Sequence, residues 1–136
     1  MTQELQKKLE AEIQTACQHA LKFADMYFPA TLDYSEKSIA DIECSCDEVE
    51  YSMPGGKSTQ NINILAWYWG AYIGEIFRRH GGGQWEYWED EYGKTIALVT
   101  PKNGAVFPMS KVQKRLQLGK TENLVQYYQS MKDLYF

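Results

Sequence analysis

Glu75 is the side chain in this sequence whose surroundings would most alter its chemistry. It follows the run Trp67-Tyr68-Trp69-Gly70-Ala71-Tyr72-Ile73-Gly74, and Arg78 and Arg79 lie three and four residues beyond it. On a helix those separations bring both guanidinium groups beside the carboxylate. A carboxylate in so apolar a stretch is costly to bury unpaired. The first expectation is therefore a structural ion pair to Arg78 or Arg79, or to Arg115 from later in the chain. The other reading is a pocket in which Glu75 faces Arg78 and Arg115 and handles a proton. Gly70 and Gly74 sit four apart on one helix face, where each costs about 1 kcal/mol relative to alanine. That cost is tolerable where another element packs very close, which is the favoured reading. It is also tolerable where missing side chains leave a floor for a ligand.

Other short signals carry less. Gly56-Lys57-Ser58 ends like a phosphate-binding P-loop, but Tyr51 stands where the first glycine belongs and a helix precedes it rather than a strand. Cys44 and Cys46 are two apart on a helix and point in different directions, and His19 and His80 stand alone. No metal site, cofactor or catalytic residue is expected, since no nucleophile elbow, zinc-binding helix or dinucleotide glycine fingerprint occurs.

Two acidic stretches are candidate protein contacts. One is Asp47, Glu48 and Glu50, on a helix that also carries Asp41 and Glu43. The other is Trp88, Glu89, Asp90 and Glu91, at the end of a segment, Gln84-Trp85-Glu86-Tyr87-Trp88, with aromatic rings on both faces of a strand. One set of rings should join the core. The other is either half exposed, which suits an interface because Tyr and Trp anchor contacts, or covered by the C-terminal helix.

The elements that must position these residues follow from periodicity. Leu5, Leu9, Ile13, Ala16, Ala20, Phe23 or Ala24, and Tyr27 recur in steps of three and four, predicting one long amphipathic helix from Thr2 to about Phe28, ended by Pro29. Ser35 is a good N-cap for a second helix running to about Tyr51, with Ile39, Ile42, Cys46 and Val49 as its stripe. Ser58 caps a third, from Thr59 to about His80, that is apolar almost all round and so central and buried. Gly81-Gly82-Gly83 ends it. QWEYWEDE, TIALVT and AVFP then predict a three-stranded antiparallel meander, with turns at Glu91-Tyr92-Gly93 and Pro101-Lys102-Asn103-Gly104. Two C-terminal helices follow, capped by Ser110 and Thr121 and separated by Gly119. Helices, then hairpins, then helices make an α+β fold.

The chain has 136 residues, 44% hydrophobic and 24% charged, which predicts a single domain spanning residues 1–136 with its own core. A net charge of −4 argues against binding a nucleic-acid backbone. No apolar run reaches a membrane span, no leader h-region opens the chain, and three cysteines are an odd number. A cytoplasmic location, off the membrane, is expected.

The runs WGAYIGEIFRR, GGQWEYWEDEYGKTIAL and VFPMSKVQKRLQLGKTENL, in that order and spacing, resemble the bacterial DUF3806 domain family over about residues 65–128. The shared positions would be Gly70, Gly74, Glu75, Trp85, Asp90 or Glu91, Tyr92, Gly93, Pro108, Lys114, Arg115 and Gly119. The first sixty residues depart from that pattern. The resemblance implies the fold outline and a bacterial origin, and brings no activity with it. The function expected is a non-enzymatic protein-binding protein, for instance an immunity protein that neutralises a toxin through its acidic and aromatic surface. The alternative is a small-molecule binder or enzyme with a pocket around Gly70, Gly74, Glu75 and Arg78.

Overall fold

A computed structural model describes residues 2–136. Helix α1 spans Gln3–Tyr27, and the Thr2 side chain accepts from the Leu5 amide as its N-cap. Of its predicted stripe, Leu9, Ile13, Ala16 and Ala20 are buried beside Cys17 and Ala24, Tyr27 is half-buried, and Leu5 is exposed. Helix α4, Thr59–Gly81, begins at Ser58, whose hydroxyl accepts from the Asn61 amide. It ends on Gly82, at φ +91°, whose N–H donates to the Arg78 carbonyl. From Trp69 to Phe77 every residue of α4 is buried, as an all-round apolar helix requires. It packs against α1 and against α5, Pro108–Leu118.

The acidic helix predicted from Ser35 to Tyr51 is two helices, with one turn before them and one between them. Ser35 does bond to the Ser38 amide, but residues 36–37 form a turn, so α2 covers Ser38–Cys46. The chain then tightens, with Asp47 and Glu48 amides bonding three residues back to Cys44 and Ser45, before α3 at Val49–Ser52. Ser45 Oγ donates to the Asp41 carbonyl at 2.8 Å, one turn back, just before this tightening.

Strands β1 (Gln84–Asp90), β2 (Gly93–Val99) and β3 (Ala105–Val106) form the antiparallel meander in the order β1-β2-β3. Trp85 lies opposite Leu98, Tyr87 opposite Ile96 and Asp90 opposite Gly93. The third strand is shorter than predicted because Pro108 already occupies the first turn of α5, where its missing N–H costs nothing. Helix α5 thus starts two residues before Ser110. Residues Lys120–Glu122 form a 3-10 turn, and Asn123, not Thr121, caps the last helix, α6 at Leu124–Tyr135, through the Gln126 amide.

The buried side chains from α1, α2, α4, the sheet, α5 and α6 make one cluster. No helix among the described residues is long and apolar enough to cross a membrane.

Candidate functional site

Glu75 is fully buried, and both its oxygens are filled by donors from three elements. Oε2 accepts from Arg78 Nε at 2.6 Å and from Trp85 Nε1 at 2.9 Å. Oε1 accepts from Gln14 Nε2 at 2.7 Å and from Arg78 Nη2 at 3.0 Å. Burial alone would raise the pKa of this carboxyl. The hydrogen bonds from Arg78, Trp85 and Gln14 outweigh it and hold the group below its ordinary value. A carboxylate so occupied is an anchor, with no lone pair free for a substrate proton.

Trp85 is tied to α4 twice. Its indole N–H reaches Glu75, while its six-membered ring lies over Gly74: a Cβ there would sit 2.1 Å from Trp85 Cη2. A Cβ on Gly70 would sit 2.6 Å from the Cα of Met109 in α5. Both glycines are covered by protein, so they serve close packing and floor no cavity.

A cavity of about 520 Å³ does open beside this cluster, lined by Lys7, Glu10, Gln14, Glu75, Arg78 and Gln84 among others. Neither glycine lines it. Arg78 stays bonded to Glu75 with 40% of its side chain exposed, and it lines this space together with Lys7.

Arg115 is not at Glu75. It is fully buried on α5 and points to the acidic helix, with Nε 2.9 Å from Glu43 Oε2 and Nη2 2.9 Å from Asp47 Oδ1. Burial would lower the pKa of Arg115, and the bonds to Glu43 and Asp47 raise it instead. Bonding to Arg115 likewise holds Asp47 below the usual carboxylate range. Glu43 also accepts from the Leu124 amide at 2.9 Å, so one carboxylate stitches α2, α5 and the start of α6 together. Glu48 and Glu50 are exposed, and Glu50 Oε2 accepts from the Lys57 amide at 3.2 Å. That carboxylate occupies the place a phosphate would need in a P-loop.

On the hairpin, Trp88 is partly buried with its ring edge-on to Phe107, centroids 5.6 Å apart. Asp90 shapes the tip: Oδ1 accepts from the Tyr92 amide at 2.8 Å and Oδ2 from Trp88 Nε1 at 3.3 Å. Glu89, Asp90 and Glu91 are exposed, Tyr87 is 44% exposed and Tyr92 90%. Among the described residues, no group of three or more His, Cys, Asp and Glu side chains is arranged to hold a metal ion.

Helical spacing pairs Glu75 with Arg78 but does not reach the two partners brought by tertiary packing, Gln14 and Trp85. Gln14 left a faint signal, as a polar residue flanking the buried Ile13 and Cys17 of the α1 stripe. Glu43, the main partner of Arg115, left none that separates it from the neighbouring acids.

No curated protein and no solved structure matches this chain. A family model does: DUF3806, a domain of unknown function, matches residues 57–128, more than half of the sequence, and the chain belongs to that family.

Proposed function

We propose that this chain is a non-enzymatic protein-binding protein whose contact surface is the aromatic, acidic β1–β2 hairpin. A contrast between two sets of carboxylates carries this reading. Glu36, Glu43 and Asp47, on or beside α2, are consumed internally by Lys132 and Arg115. Among the described residues, Glu86, Glu89, Asp90 and Glu91 have no cation within ion-pairing distance, and they stand beside the exposed rings of Tyr87 and Tyr92. Unspent charge beside aromatic rings is what a contact surface needs, the charge for steering and the rings for anchoring. The partner such a surface fits has a basic face. A toxin neutralised by a bacterial immunity protein is one such partner, and the small size and net charge of −4 support that reading. The acidic helix is the weaker candidate, because its Asp47 already has Arg115 and Lys120.

The test uses paired baits, the wild-type chain and a Glu89→Lys/Glu91→Lys variant, for capture from the cell of origin at low salt. A stoichiometric partner held by the wild type and lost by the variant is expected. Equal capture by both baits, or no partner at all, would remove the hairpin from consideration.

The 520 Å³ cavity keeps a second reading in place, since it falls in the size range of small-ligand sites and has Lys7 and Arg78 in its walls. With Glu75 fully engaged, that reading is of a binder of small carboxylates rather than an acid–base enzyme.

A further inference from the structure

The two backbone edges of β1 differ. At one end, the carbonyl of Trp85 accepts from Gln6 Nε2 at 2.8 Å, on the side facing α1 and away from β2. At the other, the two-residue turn Glu91-Tyr92 makes Asp90 and Gly93 the pair that closes the hairpin. Residues of an antiparallel ladder alternate between bonding to the partner strand and facing away. Gln84, Glu86, Trp88 and Asp90 therefore bond to β2, while Trp85, Tyr87 and Glu89 turn their N–H and C=O groups outward. Strand β3 lies on the far side of β2 and cannot cover them. Gln6 satisfies only the Trp85 carbonyl. Among the described residues no side chain and no loop backbone bonds to the outward groups of Tyr87 and Glu89.

We propose that this edge, Tyr87 to Glu89, takes up a short extended segment of a partner protein as a fourth strand, and that the segment is rich in lysine or arginine. The proposal rests on the protein-binding reading above and names its mode. The outward N–H and C=O groups at 87 and 89 are those that strand addition uses, with main-chain bonds giving affinity and flanking side chains giving selectivity. Charge selects the occupant. Residues 86–94 carry four carboxylates and one lysine. A second copy pairing edge to edge would bring two such sets within about 5 Å of each other, and like charges opposite one another destabilise a ladder. A basic segment reverses the sign of each of those interactions, and its cations can also lie on the exposed ring of Tyr87. Acidic side chains on an edge also protect a sheet from self-pairing. Experiment separates the two roles.

The probe is a nine-residue peptide of alternating lysine and valine, titrated into the full chain and followed by amide NMR with hydrogen exchange. Protection should appear at the Tyr87 and Glu89 amides, with no gain at Glu86 and Trp88, which are already bonded. Tyr87→Pro and Glu89→Pro each delete one outward N–H without touching a ladder bond. Each should weaken the peptide by about tenfold while leaving the circular dichroism unchanged. The same peptide N-methylated at alternate residues should not bind. Unchanged affinity in both proline variants, or binding without protection at residues 87 and 89, overturns strand addition. If affinity then still falls in the Glu89→Lys/Glu91→Lys variant, the acidic-surface reading stands and only its mode is wrong; if affinity is insensitive to both, both fail. No peptide binding, with self-association of the lysine variant, leaves the edge acids as guards alone and also overturns the proposal.

Discussion

Glu75 shows how a fully buried charge is kept when its partners come from separate elements. Arg78 is local, but 40% of its side chain remains in solvent, so its attraction is partly screened. Trp85 is more demanding, because its buried indole N–H would lose its acceptor and gain none, whereas the exposed Gln14 can turn its amide to water. Glu75→Ala should therefore cost about 2–4 kcal/mol in urea unfolding, much of it from the stranded Trp85 indole. Glu75→Gln, which keeps an acceptor oxygen, should cost less. The pH dependence has a definite sign. The folded pKa lies below the ordinary 4.5, so this stabilisation is fully present above that value and is lost as pH falls through the folded pKa. The stability gap between wild type and Glu75→Gln should hold steady above about pH 5 and narrow below it. Glu36, Asp47 and Glu122 also have depressed values, which is why the gap and not the raw wild-type curve is the measure. A gap unchanged down to pH 3 would mean that Glu75 is not held as an anion.

Between α4 and the hairpin, close approach matters more than helix propensity. Gly74→Ala would gain about 1 kcal/mol of propensity. Against that, the new Cβ meets the Trp85 ring at 2.1 Å, and Pro108 at 3.2 Å blocks retreat on one side. Overpacking of this kind costs about 1–3 kcal/mol. A net loss of stability is expected, together with an altered near-ultraviolet signal from the displaced indole; a more stable protein with an unchanged signal would refute the contact. This contact also marks how far the sequence could be read. The apolar periods of α1 and α4, the hairpin turn and the Gly70–Gly74–Glu75 face were legible, because each is a local pattern. The break in the acidic helix was not, since Asp47 and Glu48 form a turn within an otherwise helical run that holds no glycine or proline. Nor was the destination of Arg115, because Glu43 and Asp47 lie about seventy residues earlier and only packing brings them to α5. The start of α5 was written in Pro108, but Ser110 offered a competing cap.

Whether the molecule unfolds as one unit depends on how firmly α2 and α6 are held to the rest, and three cysteines report on it. Cys17 on α1 and Cys46 at the end of α2 belong to the same buried cluster, while Cys44, two residues from Cys46, is exposed. Burial pushes both buried thiols up to about 12, with the Glu75 carboxylate adding to the effect at Cys17. Neither is a ready nucleophile, and only opening of the structure will expose it. Helix α2 is tied to the remainder by the Arg115 clasp and by the buried bond between the Ser38 and Tyr72 hydroxyls, and Tyr128 and Lys132 of α6 converge on Glu36 just before it. Cooperative unfolding requires these bonds from α2 and its flanking turns to α4, α5 and α6 to break together. In native protein at pH 8, a thiol reagent should modify Cys44 quickly and the other two only slowly. As urea is raised, Cys17 and Cys46 should become reactive in parallel, tracking the global transition read by tryptophan fluorescence. Peptide mass spectrometry assigns each thiol, and Cys44 serves as the internal control for reagent activity. Labelling of Cys46 at distinctly lower urea than Cys17 would show that the α2–α6 layer opens by itself, and the single cooperative domain expected over residues 1–136 would then be two.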